Sequence, residues 1–352
     1  MNQRTHAWIA IRTIALLEDG GKSKDLVKLI KPHAAKAAIG AWIPDLVDAK
    51  RAGSQIGKHV LKMKPYKGKV LKERFIAEKE ELLERLGKSR LMSSYIDNDT
   101  SLKTHWWNKP YKGDIKVPGQ HLANRAMAMS VMMRDLLIMG DQKVDKLLPG
   151  AVRFAKNIDS KARTKAEQVA LYFFMLSHFI SDACMPCHAD ARKISAYNKG
   201  KGLHHELETR WSGIVKTKFD KKKLLPVSSS IKPDKILKDA KEVDARFGLK
   251  FKPKSIPNLV AGDVWLELIN ICRGSFAVAS IIASPKPSKY PYSNKVRIVH
   301  LDKLFPENSS EKLKDLDRMV MHDAVLNNAI IWRHIWQQAI PAKMKKKKKK
   351  TA

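Results

Sequence analysis

Two short stretches of this chain pair a histidine with a carboxylate four residues on. HFISDACMPCH carries His178, Asp182 and His188, and LHHELE carries His204 and Glu208. Residues i and i+4 share a helix face, so each stretch turns an imidazole and a carboxylate toward one point, as zinc-holding helices do. One such pair in isolation also has the look of a surface ion pair; two pairs with His188 between them favour a metal site. The residues leading into the first pair, ALYFFMLSHFISDA, are apolar almost all round. His178 and Asp182 are therefore expected in the interior, where a buried imidazole and a buried carboxylate each need a partner. A metal ion satisfies both. A neutral histidine bonded to the aspartate would do so too, but leaves the second pair without a reason.

Helices are what must position these groups, and helical periodicity dominates the chain, with β-type alternation confined to stretches such as Val296 to His300. Amphipathic segments run from about Thr5 to Glu18, Lys69 to Leu86, His121 to Met139 and Lys165 to Ser181, then His204 to Val215, Leu259 to Ala283 and Ser310 to Gln338. Gly and Pro punctuate them at Pro149-Gly150, Gly200 to Gly202, Pro285 to Pro291 and Pro341. The expected fold class is all-α. One helical domain over residues 1–340 carries a charged helical insertion at about 60–92, and residues 341–352 form a disordered poly-Lys tail. Lys216 to Pro257, rich in Lys with Pro and Ser clusters, reads as a crossing over the surface.

Lys and Arg outnumber the acids 68 to 35, for a formal charge of +33. Seven lysines between Lys343 and Lys350 account for part of it, and 33 − 7 leaves +26 on the rest of the chain. A field of that sign suits polyanions: nucleic acid, an anionic membrane surface or a phosphorylated substrate, reached through the basic body and the Lys tail. The same charge could instead serve solubility. The three cysteines, Cys184, Cys187 and Cys272, are too few for a disulfide framework. Cys184 and Cys187 form a CxxC, which could be a redox pair or half a zinc knuckle, although small core residues is the simpler reading. The N-terminal stretch MNQRTHAWIAIRTIALLEDGG is broken by Arg12 and lacks a small-residue cleavage site. With no apolar run of the ~20 residues a spanning helix needs, the expectation is a cytoplasmic protein, at most peripheral at an anionic membrane.

The order His-x3-Asp-x3-Pro-x-His (His178, Asp182, Pro186, His188) followed by Leu-His-x3-Glu (Leu203, His204, Glu208) resembles the zinc-dependent phospholipase C family. That family is related to single-strand-specific zinc nucleases and to the N-terminal domain of glycosylphosphatidylinositol-specific phospholipase D. Three further segments are similar in the same order: THAWIAIRTIALL with His6, IGAWIPDLVDA with Asp45, and KTHWWNKPY with His105. The resemblance covers roughly Met1 to Glu208, with weaker support from VLNNAIIWRHIWQQA. It implies a multi-helical bundle with a cluster of two to three zinc ions in a cleft. Asp45, His105, His178 and Asp182 would hold one ion, and His188, His204 and Glu208 a second. His6 with the amine and carbonyl of Met1 would hold a third, Asp182 bridging the first and third. His59 competes with His105 for its place, and His105 has the better local match through Thr104, Trp106 and Trp107. The other histidines, His33, His121, His205, His300, His322 and His334, read as structural or exposed.

Such a centre would activate water and neutralise charge on a phosphate in flight, which phosphodiester hydrolysis needs. Asp45 would act as general base or water-orienting ligand, and Trp106 would stack on a nucleobase, line an acyl-glycerol groove or simply pack the cleft wall. Leu46, where the family's choline specialists carry an aromatic, counts against phosphatidylcholine specificity. The expected function is a phospholipase C type zinc phosphodiesterase. A single-strand nuclease or nucleotidase on the same cluster is the alternative, and a non-catalytic zinc-stabilised binding protein the second alternative.

Overall fold

A computed structural model of the chain describes residues 1–45, 60–61, 122–139, 166–190, 195–196, 201–216, 231–259, 262–282, 300–301 and 309–348. His59, His105, Trp106 and His121 lie outside the described residues, as does the insertion expected at 60–92 beyond residue 61. What is described is helical, with one ladder of two-residue strands, β1 (Ser195–Ala196) and β2 (Lys201–Gly202), paired antiparallel.

The first helix, α1 (Gln3–Gly20), is the axis of the structure. Asn2 caps its start by accepting from the Thr5 backbone N–H at 3.3 Å. Gly21, at φ 68°, closes its end in the left-handed conformation that glycine adopts without strain. Every residue from Thr5 to Leu17 is buried, so α1 is wrapped on all sides and not seated on a core by one stripe. Its neighbours are α3 (Ala37–Gly40), α5 (Ala166–Ala183), α7 (Leu203–Lys216), α8 (Pro233–Glu242) and α11 (Ser309–Lys348). Between α1 and α3 lie α2 (Lys24–Ile30) and a 3-10 turn at Lys31–Lys36.

The Lys-rich stretch expected to cross the surface instead contributes to the core. Ile236, Leu237 and Ala240 of α8 are buried against α1, and the Trp8 indole N–H donates to the Ala240 carbonyl at 3.0 Å. Just beyond, α9 (Asp244–Phe247) supplies Asp244, which takes two hydrogen bonds of 2.9 and 2.8 Å from the buried Arg12 guanidinium. The same guanidinium lies 4.5 Å above the Phe251 ring. Three apolar residues at i, i+1 and i+4 are enough to seat a short helix, and the lysines of α8 take its opposite face.

Behind the two histidine stretches stand α4 (Leu122–Met139), α10 (Val264–Ile282) and α11. The α5 helix ends in a turn, with the Met185 N–H donating to the Asp182 carbonyl at 3.1 Å. Pro186 then opens the single-turn helix α6 (Pro186–Ala189), which packs on α10. Asp182 thereby closes one helix and His188 rides on the next. The α7 helix is pinned to α11 through Asp317, which accepts from the Trp211 indole and from Arg210, each at 2.8 Å.

One expectation changes here. The final helix continues past Pro341 to Lys348, where the composition suggested a disordered tail. Lysine is a good helix former, and elongating an existing helix needs no new nucleus. Cys184, Cys187 and Cys272 are all buried, as small core residues are, and burial pushes the Cys272 and Cys184 thiols well above their usual range, so both stay protonated. Among the described residues, no helix is long and apolar enough to cross a membrane.

Candidate metal centre

Four helices bring the histidine stretches and the N-terminus together. His6 lies on the first turns of α1, His178 and Asp182 on the last turns of α5, His188 on α6, and His204 and Glu208 on the first turns of α7. Asp45 follows α3, whose Gly40 backs onto α5 so closely that a Cβ there would stand 2.7 Å from the Phe174 Cβ. That close approach puts the next carbonyl, of Ala41, 2.8 Å from Nδ1 of His178. The contact fixes the ring: Nδ1–H donates to the carbonyl, and the lone pair of Nε2 faces the carboxylates.

Asp182 is the hub, 2% exposed. Its Oδ1 is 2.9 Å from the Met1 α-amino nitrogen, 3.3 Å from His6 Nε2 and 3.4 Å from His188 Nδ1, while Oδ2 is 3.1 Å from His178 Nε2. His178 Nε2 is also 3.5 Å from Asp45 Oδ1, a carboxylate 41% exposed at the edge of the cluster. On the second side, His204 Nε2 is 3.3 Å from Glu208 Oε1 and 2.9 Å from His188 Nε2, and Glu208 Oε1 is 3.0 Å from the Met1 nitrogen. The His6 and His178 rings stack at 4.1 Å between centroids.

Among the described residues the His6 Nδ1 meets no hydrogen-bond partner, and Nε2 has only the long 3.3 Å approach of Asp182 Oδ1, although the ring is fully buried. An uncompensated buried imidazole is costly, and a metal ion resolves it. The 3.3 Å separations of His6 Nε2 from Asp182 Oδ1 and of His204 Nε2 from Glu208 Oε1 match the edges of a zinc tetrahedron, since ligand atoms ~2.0–2.1 Å from a common ion stand about 3.4 Å apart. Two groups could hold an ion: His6, His178 and Asp182, fully buried, and His188, His204 and Glu208, part-exposed. Among the described residues no cysteine belongs to either group.

The charges point the same way. Burial, with His178 alongside, drops the His6 pKa to about 4 and leaves its imidazole neutral. Burial opposes ionisation of Asp182, yet the α-ammonium and His188 outweigh it and hold the carboxyl well below its ordinary range. Glu208 is likewise lowered, the ammonium and His204 overcoming burial. Burial opposes charge on the Met1 amine as well, but Asp182 and Glu208 raise it to about 11. An ammonium between two carboxylates occupies the position a metal cation would take.

Comparison with family models, curated proteins and solved structures finds no match to the chain. The side chains themselves carry the assignment. Six of the sequence-derived ligand side chains converge within the described residues, with the Met1 nitrogen and Asp45 beside them. Among the other described histidines, His205 is exposed beside Thr209, His300 pairs with Glu206 at 2.6 Å, and His322 stacks on Phe251. Two positioning groups escaped the sequence. Asn2 donates from Nδ2 to the Glu208 carbonyl at 3.3 Å, joining α1 to α7, and the Ala41 carbonyl orients His178. Asn2 before a helix is a recognisable capping signal; a backbone carbonyl carries no residue-type signal at all.

Stripped of metal, the protein will lose stability on acidification. His6 titrates at about 4 when folded against 6.5 as a model imidazole, so its contribution is complete above pH 6.5 and disappears as pH falls toward 4. The full span is worth about 3 kcal/mol. The raised pKa of His178 favours the folded state on the acid side and offsets part of this. Urea unfolding of chelator-treated protein at pH 7 and pH 4.5 should differ by roughly 1–3 kcal/mol, with pH 4.5 the weaker. A flat profile would mean that His6 is not buried neutral.

Proposed function

We propose that the chain is a zinc-dependent phosphodiesterase of the phospholipase C type. The observation that carries this reading is the meeting of two metal-capable groups around one carboxylate, Asp182, whose Oδ1 is 3.3 Å from His6 and 3.4 Å from His188. Cys-free sets of imidazole and carboxylate with a part-exposed side are typical of catalytic zinc, in contrast to the closed, thiolate-rich sets of structural sites. When bound, zinc supplies Lewis acidity toward a phosphoryl oxygen and lowers the pKa of water toward ~7.

This chain's residues do the rest. Asp45 is the exposed carboxylate, hydrogen-bond reach from the His178 edge of the cluster, and it takes the proton of the attacking water or orients that water in line with the phosphorus. His178 cannot turn, because Nδ1 is held by the Ala41 carbonyl. Asp182 is buried behind the rings and holds them without meeting substrate. The part-exposed His204 and Glu208 border the face from which a phosphodiester enters, and the leaving oxygen departs on that side. The formal charge of +33 supports a polyanionic partner, phospholipid surface or nucleic acid.

The test is a side-by-side assay of zinc-loaded protein on mixed phospholipid vesicles and single-stranded oligonucleotides. Headgroup release is the expected activity, and Asp45→Asn should reduce it by about 10²–10⁴-fold with zinc content retained. Cleavage of oligonucleotides alone would make the protein a single-strand nuclease on the same centre. Turnover of neither would make it a zinc-stabilised binding protein.

A further inference from the structure

The His188 ring faces both metal-capable groups. Its Nε2 stands 2.9 Å from His204 Nε2, while its Nδ1 stands 3.4 Å from Asp182 Oδ1. A neutral imidazole has one lone pair and one N–H, on opposite nitrogens. Two lone pairs pointed at each other across 2.9 Å repel, so the His188–His204 contact needs a proton or a cation between the nitrogens. A cation shared with Glu208 uses the Nε2 lone pair of His188, and the ring proton then has to sit on Nδ1, facing Asp182.

Asp182 has the capacity for this. A carboxylate offers about four lone-pair sites. Its Oδ2 is 3.1 Å from His178 Nε2, and its Oδ1 faces the Met1 nitrogen, His6 Nε2 and His188 Nδ1 alike, so the one carboxylate touches residues of both groups. We propose that Asp182 serves both groups at once, as direct ligand in the buried one and, through the Nδ1–H of His188, as the acceptor that orients the part-exposed one. The proposal rests on the metal reading of the two groups given above. It makes His188 a dividing wall with a defined tautomer, and it makes the part-exposed group depend on a residue that is not among its ligands. Acceptors of this kind are worth 10–100-fold in metal affinity where they orient a ligating histidine.

The experiment is competition of Zn²⁺ between the protein and a chromophoric chelator, on folded variants checked by circular dichroism. Asp182→Ala and His6→Ala each disturb the buried group, but only the first removes the acceptor facing His188. His204→Ala disables the part-exposed group and so identifies the ion being read. The affinity of the part-exposed group should fall 10–100-fold in Asp182→Ala, fall less in Asp182→Asn, which keeps an oxygen acceptor, and stay within about twofold in His6→Ala. Nitrogen-15 spectra of zinc-loaded wild-type protein give a second reading that needs no variant to fold: His188 should carry its proton on Nδ1 and its metal on Nε2. Equal weakening in Asp182→Ala and His6→Ala, or zinc on Nδ1, would overturn the coupling while the metal centre stands. A wild-type protein that takes up no zinc would overturn both.

Discussion

His178→Ala will lower phosphodiester turnover by about a thousandfold or more while the protein stays folded. The His178 Nε2 lies near two carboxylates, 3.1 Å from Asp182 and 3.5 Å from Asp45. Its removal opens the buried metal group on the side that carries the proposed general base. Charge stabilisation and water activation at a metal centre are worth several kcal/mol, and about 4 kcal/mol corresponds to that thousandfold loss. The ring is held by the Ala41 carbonyl and stacks on His6, so circular dichroism accompanies the assay to show that the variant is folded. The comparison is His205→Ala, an exposed neighbour of His204 that touches Thr209, which should retain activity within about twofold. A His178→Ala protein with near wild-type turnover would place the chemistry elsewhere.

Zinc removal will lower the melting temperature without unfolding the chain. The buried core around α1 does not depend on metal, and the α-ammonium already offsets part of the charge of Asp182 and Glu208 in the metal-free state. Binding to the native state alone adds about 4 kcal/mol at a free zinc concentration a thousandfold above Kd, which for a chain of this size is roughly 5–10 °C. Differential scanning calorimetry with and without chelator reads the shift. An identical melting temperature in both would show that the two ligand groups bind no zinc with useful affinity. Because the Met1 amine, held at about 11, has to give up its proton in order to bind metal as a neutral ligand, the shift should also grow with pH between 6 and 8.

The two i,i+4 pairs were legible because a helix turns spacing directly into shared direction: His178 with Asp182 and His204 with Glu208 meet as their separation requires. The convergence of α1, α5, α6 and α7 is a tertiary fact with no local signal. His6, Asp45 and Met1 could be attached to the cluster from the sequence only by resemblance, and the structure brings each of them there. The helix over Pro233–Glu242 was hidden by its composition, since three lysines among ten residues mask the three apolar positions that seat it on Trp8. The continuation past Pro341 was hidden for the opposite reason. A proline and a lysine run both suggest an ending, yet the helix arriving there is already nucleated and long. The all-α class survived these errors because it rests on periodicity summed over many segments.

The most direct measurement is the position of bound metal. Crystals grown with zinc and measured at its absorption edge should show anomalous peaks within ~2.0–2.2 Å of ligand atoms from His6, His178 and Asp182, and again from His188, His204 and Glu208. Zinc-edge density at both groups is the predicted result. Folded protein in zinc, with these side chains placed as described and no peak at either group, would contradict the metal centre and with it the proposed chemistry.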